Sequence, residues 1–175
     1  KVDLTLPEAE GMRGPLLDLV AGAAGQLVAM RETEGAAMES DLRDRLSALE
    51  TALGAIGTAS GDSVARYQDL LFQRLNQAGL ELDLSDERVL KEIALFADKC
   101  DTSEEQTRLA SHFEQFRECL DAGSPIGRKL EFIVQEMNRE FNTIGSKASN
   151  IEVGRQVIEA KNEIERIREQ IQNIE

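Results

Sequence analysis

The stretch IGRKLEFIVQEMNREFNTI, residues 126–144, decides the fold of this 175-residue chain. Its apolar residues recur at separations of three and four, which places them on one face of an α-helix. They are Ile126, Leu130, Ile133, Met137, Phe141 and Ile144. Ser124 and Pro125 precede the run and favour a helix start, because Pro lacks only an N–H that the first turn leaves unpaired. The stretch therefore predicts an amphipathic helix with one buried face.

The flanking segments repeat this pattern. Residues 157–174 form a heptad-like seam of Val157, Ala160, Ile164, Ile167, Ile171 and Ile174. Residues 109–120 bear a similar face of Leu109, Phe113, Phe116 and Leu120. Further upstream, residues 16–56 form a long amphipathic segment that Pro15 can open, and in which Gly35 is expected to mark a bend. A turn at residues 57–61 and helices over residues 63–78 and from Ser85 complete the prediction.

These elements predict a mainly α fold, in which a long helical arm is followed by an antiparallel, bundle-like C-terminal domain. We expect residues 1–15 to be the tail of an N-terminal domain that this sequence lacks, because Lys1 to Pro7 alternate like the end of a strand. Residues 16–84 are predicted to form a helical hairpin arm. Residues 85–175 are predicted to form the C-terminal helical domain.

Composition restricts the classes of function. There is no run of eighteen apolar residues, so no membrane span is expected. Two cysteines without metal-binding spacing, Cys100 and Cys119, suggest a reducing compartment, the cytoplasm, and both are expected to be buried.

The formal net charge of −13 argues by itself against nucleic-acid binding. The charge is uneven, however. Residues 126–175 hold eight basic and nine acidic residues, a net of −1, so the other −12 lies before Ile126. A site for a polyanion is therefore expected after that point.

A first polar helix face combines Asp101, Glu105, Arg108 and His112 at separations of four, three and four. Carboxylates beside the single histidine suit a hard divalent cation or general acid–base chemistry. The alternative is a solvated face, since acidic residues such as Glu104 also stabilise a helix N-terminus.

A second polar face lies within residues 128–147 as two stripes. One consists of Arg128, Gln135, Arg139 and Asn142, and the other of Glu136, Glu140, Thr143 and Lys147. Such a mixture can bind phosphate through Arg, or it can form a network between helices.

Three segments resemble the YicC family of bacterial endoribonucleases. They are ADKCDTSEEQTRLASHFEQF (residues 97–116), GRKLEFIVQEMNREFNTIGSK (residues 127–147) and EIERIREQIQNIE (residues 163–175); MRETEG at residues 30–35 is similar to the region that precedes them. Thr102 and Gln106 depart from the pattern, where apolar residues are expected, and both are expected to loosen local packing.

The resemblance implies an endoribonuclease that cleaves single-stranded or structured RNA internally, with a divalent metal, Mg²⁺ or Mn²⁺. It also implies a ring-like homo-oligomer, a hexamer, with the C-terminal domain as its catalytic and oligomerisation part. RNA is the expected partner, and neither DNA nor a membrane is expected.

Matching the motifs residue by residue gives three sets of expected site residues. The catalytic set is Glu104, Glu105, Arg108 and His112. The RNA-binding set is Arg128, Lys129, Arg139 and Lys147. The metal-binding set is Asp101, Glu105, His112, Glu136 and Glu140. Three rivals remain open: His112 acting as a general base without metal, a purely structural role of these residues at subunit interfaces, and an RNA-binding adaptor without activity of its own.

Overall fold

The computed structural model describes residues 9–61, 63–80, 85–122, 125–172 and 174. The regular elements of these residues are helices: α1 (Ala9–Gly61), α2 (Ser63–Gln77), α3 (Glu87–Cys100), α4 (Ser103–Ala122), α5 (Gly127–Lys147) and α6 (Ile151–Ile171). The mainly α prediction is confirmed. None of the described helices combines the length and the hydrophobicity that crossing a bilayer requires.

The chain divides into two compact units, one up to Asp41 and one from Leu42 onwards. In the first unit α1 runs without a break through Gly35, and Pro15 lies inside the helix, so the predicted start at Pro15 does not occur. The strand-like pattern of Lys1 to Pro7 lies outside the described residues. The three predicted segments, residues 1–15, 16–84 and 85–175, stay a prediction.

The second unit is built around a bundle of the last part of α1 with α4, α5 and α6. Ion pairs fix its register: Glu50 of α1 pairs with Arg117 of α4, and Arg45 of α1 lies 3.0 Å from Glu163 of α6. Helix α4 packs on α5, and α5 packs on α6. Short connections make these neighbours antiparallel, as predicted.

The core of this bundle is aliphatic and aromatic, and the predicted faces supply most of it. The residues at most 2% exposed include Leu42, Leu46, Leu49, Ile56, Leu109, Phe113, Phe116, Leu130, Ile133, Met137, Phe141, Ile144, Ile164 and Ile167. Burying a side chain of this size contributes about 1.5–3 kcal/mol. The helical periodicity thus identified most of the bundle interior, although Leu120, Ile126 and Ile174 are only half-buried.

Helices α2 and α3 pack against each other. The rings of Tyr67 and Phe96 stack with their centroids 3.7 Å apart, and the Tyr67 hydroxyl donates a 2.8 Å hydrogen bond to Glu92. This hydrogen bond is the main reason that the pKa of Tyr67 is raised. Val89 is buried in this pair of helices, whereas Leu90 is 51% exposed.

Several helices begin or end at other residues than predicted. Residues 57–61, predicted as a turn, are the last turn of α1. Helix α3, predicted from Ser85, begins at Glu87 with Asp86 as its cap, and Asn150 caps α6. Cys119 is buried as predicted, but Cys100 is only half-buried.

Candidate metal and RNA site

The candidate site forms where α4 and α5 pack side by side. Because the two helices are antiparallel, the start of α4 lies beside the end of α5. Asp101 precedes α4, and its carboxylate accepts hydrogen bonds from the Ser103 amide at 2.9 Å and the Ser103 hydroxyl at 2.6 Å. These bonds hold the pKa of Asp101 below its ordinary value. Asp101 thus binds the first residue of α4, the helix that bears Glu104, Glu105, Arg108 and His112.

Glu105 and Lys147 form a largely buried ion pair between the two helices. The Lys147 Nζ donates to Glu105 Oε1 at 2.7 Å and to the carbonyl of Asp101 at 2.9 Å. Glu105 is only 6% exposed, and its Oε2 is buried with no hydrogen-bond partner among the described residues. The Glu105 side chain therefore connects the start of α4 to the end of α5.

Thr102 and Gln106, the two departures from the family pattern, compensate each other. The Gln106 amide donates to the Thr102 hydroxyl at 2.9 Å, and Thr102 is buried. Pairing satisfies the buried hydroxyl, so the loosening expected from two polar residues at these positions has no support in the contacts.

Arg108 links the exposed and buried sides of the site. Its guanidinium lies 3.4 Å from the buried carboxylate of Glu140 and also pairs with Glu104 one helical turn earlier. The hydrogen bond to Glu140 is the main reason that the pKa of Arg108 is raised. Glu140 thus receives a charge-assisted hydrogen bond in a place where water has little access.

His112, Glu136 and Glu140 come together as a group that can hold a metal ion. One ligand atom from each lies within 4.8 Å of the others. The Nδ1 atom of His112 is buried and has no hydrogen-bond partner among the described residues. A buried nitrogen without a partner beside two carboxylates fits a cation, since burying a polar atom unpaired is costly. The donor set favours Mn²⁺ over Mg²⁺, because Mg²⁺ prefers oxygen ligands alone.

The five predicted metal ligands therefore do not form one group. The structure brings His112, Glu136 and Glu140 together, but Asp101 and Glu105 are not members of this group. Asp101 ends α3 and accepts hydrogen bonds from Ser103, the first residue of α4, and Glu105 binds Lys147. The predicted face of four residues holds for Glu105, Arg108 and His112, but Asp101 lies outside it, because it is an extended residue between α3 and α4. Spacing along one helix also did not indicate what the neighbouring helix supplies to each residue.

The four predicted RNA-binding residues also occupy different surroundings. Arg128, Lys129 and Arg139 are exposed on α5, and Arg139 lies 3.7 Å from Glu136. Lys147 is half-buried and committed to Glu105. Beside Arg139 an open polar groove is lined by Gln135, Asn138, Asn142, Thr143, Ser146 and Arg168. The exposed cations thus lie on the same helix as two members of the metal group.

The sequence analysis did not predict a role for Phe132, which is 60% exposed on α5, the helix that bears Arg128, Lys129 and Arg139. The signal was present, since Phe132 is an apolar residue that does not fall on the predicted core face of residues 126–144.

The part of the chain that holds this site also matches known proteins. A family model described as endoribonuclease YicC-like, C-terminal, matches residues 56–175. The chain is 40% identical over 157 residues to the probable endoribonuclease YicC of Clostridioides difficile, covering 89% of this chain and 54% of that protein. It is 36% identical over 148 residues to the probable endoribonuclease YicC of Haemophilus influenzae, covering 85% and 51%. The chain spans about half the length of these curated relatives.

Proposed function

Since the chain belongs to the family of YicC-like endoribonucleases, we propose that it acts in the internal cleavage of RNA, assisted by a divalent metal. The observation that carries the proposal is the group of His112, Glu136 and Glu140 beside the exposed cations of α5. Both relatives bear the name of probable endoribonucleases, which supports RNA as the substrate.

In this proposal His112, Glu136 and Glu140 hold Mn²⁺ or, less favourably, Mg²⁺. When bound, such an ion lowers the pKa of a water ligand and stabilises negative charge on a phosphate. The Arg108 guanidinium fixes the orientation of Glu140, and Glu104 restrains Arg108 in turn. Glu105 and Lys147 hold the start of α4 against the end of α5, which is a positioning role.

The RNA backbone is proposed to contact Arg128, Lys129 and Arg139, because exposed guanidinium and ammonium groups bind phosphate oxygens. The proposal places this activity in a cytoplasmic homo-oligomer, a hexamer. In the rival view of these residues as subunit contacts, Arg139→Ala would break assembly, which size-exclusion chromatography would detect.

The test is cleavage of one defined RNA by the purified full-length protein, with a Mn²⁺ titration after chelation. Glu140→Gln and His112→Gln should each lower the cleavage rate by at least about 10- to 100-fold, the range seen even when outer partners of metal ligands are lost. Glu118→Gln is the matched control, because Glu118 is exposed on α4 and outside the metal group.

Three outcomes discriminate the alternatives. Full activity in both site variants would refute the metal assignment. Wild-type cleavage that survives exhaustive chelation would favour His112 as a metal-free general base. Protein that binds the RNA and never cuts it would favour the adaptor.

A further inference from the structure

One aromatic side chain of this protein is exposed to solvent. The chain has six phenylalanines and one tyrosine. Phe113, Phe116 and Phe141 are buried, and Tyr67, Phe72 and Phe96 are half-buried. Phe132 alone is exposed, at 60%. A single exposed apolar side chain is ordinary, so its neighbours decide whether it has a role.

The position of Phe132 on α5 is specific. At 100° per residue, it lies on the side of α5 turned away from the buried residues, about 140° from Met137 and about 180° from Phe141. Arg128 lies one turn before it on the same face, and Glu136 of the metal group lies one turn after it. The rise along the axis from Phe132 to Glu136 is about 6 Å.

Cations lie before and after Phe132 along α5, with the exposed Glu131 and the half-buried Glu136 among them. Arg128 and Lys129, one turn earlier, are exposed and make no ion pair with any described residue. Arg139 lies two turns after Phe132, close to the same line, with its side chain 71% exposed. An apolar ring between cations matches a ligand that has a flat apolar part and a charged backbone.

We propose that Phe132 is a stacking platform for one unstacked base of single-stranded RNA, with Arg128 and Lys129 holding the adjoining phosphates. Proteins that bind single strands combine a positive surface with aromatic rings on which bases stack. This inference rests on the proposed RNA function and adds a contact to a base, where the other expected contacts are to phosphates. The stacked base would hold the RNA strand one helical turn from Glu136 of the metal group.

The experiment measures binding of a short unstructured RNA to the full-length protein by fluorescence anisotropy, in EDTA to prevent cleavage. Phe132→Ala should weaken binding by about 5- to 150-fold, the range for loss of one stacked base. Phe132→Tyr keeps the ring and should bind like wild type. A matched abasic oligomer should bind wild type and Phe132→Ala equally.

Salt dependence separates stacking from charge. Phe132→Ala should leave the slope of log affinity against log salt unchanged, whereas Arg128→Ala should reduce it by about one. RNA with 2-aminopurine at successive positions should show quenching at one position in the wild type and none in Phe132→Ala.

Each remaining outcome is decisive. Unchanged affinity of Phe132→Ala for the unstructured RNA overturns the inference and leaves the proposed function standing. A changed oligomeric mass of Phe132→Ala in analytical ultracentrifugation assigns Phe132 to a subunit contact and also overturns it. Wild-type protein that neither binds nor cuts RNA refutes the proposed function, and the inference fails with it.

Discussion

Replacing Lys147 with Met tests the central contact between α4 and α5. Methionine keeps most of the apolar stem of lysine and removes the ammonium group that lies 2.7 Å from Glu105. The side chain of Glu105 is 8% exposed and that of Lys147 is 31% exposed. The variant therefore leaves a largely buried carboxylate without its counter-ion, and its second oxygen already has no partner among the described residues.

Removing one partner of a buried ion pair costs about 3–5 kcal/mol. Water reaches the lysine side of this pair, so the lower end applies, about 3 kcal/mol. The lost hydrogen bond to the Asp101 carbonyl adds about 1 kcal/mol. For a chain of this length, 3–4 kcal/mol corresponds to a fall in Tm of roughly 6–16 °C.

The assay is urea and thermal unfolding followed by circular dichroism, at one protein concentration for all variants. The double variant Glu105→Gln with Lys147→Met should be more stable than Lys147→Met alone, because it removes the uncompensated charge. Lys161→Met is the control, since Lys161 is exposed on α6 and makes no ion pair with a described residue. A loss below about 0.5 kcal/mol in Lys147→Met, the range of ordinary surface changes, would refute the reasoning, as would a double variant no more stable than the single one.

Two further predictions concern the core and the response to acid. Phe141→Ala should lower the free energy of unfolding by about 3–5 kcal/mol, because Phe141 is fully buried. Phe132→Ala on the same helix should change it by less than about 0.5 kcal/mol. Equal losses of the two variants in urea unfolding would contradict the assigned faces of α5. Hydrogen bonds from Arg88 lower the pKa of Asp86 from 3.8 to about 2, so its stabilisation is complete above the ordinary value and is lost as pH falls towards 2. Asp86→Ala should therefore show a smaller drop in urea midpoint between pH 5 and pH 2 than wild type, and an unchanged drop would count against this contact.

The sequence predicted the bundle well because the rule behind it is local. A three–four spacing of apolar residues places them on one face of a helix whatever the partner is. Residues such as Leu130 and Ile164 are buried for that reason. Boundaries were less predictable, because glycine only weakens a helix: α1 continues through Gly35 and through residues 57–61.

Sequence by itself determined the helices, their buried faces and the family resemblance on which the RNA hypothesis rests. It also determined that His112 shares a face with Glu105 and Arg108, because that depends on one helix alone. Only the tertiary structure decided which carboxylates meet His112. The antiparallel register of α4 and α5 places Glu105 beside Lys147, and it places Glu136 and Glu140 beside His112. Register between helices depends on how two side-chain surfaces fit together, and spacing within either helix does not contain that information.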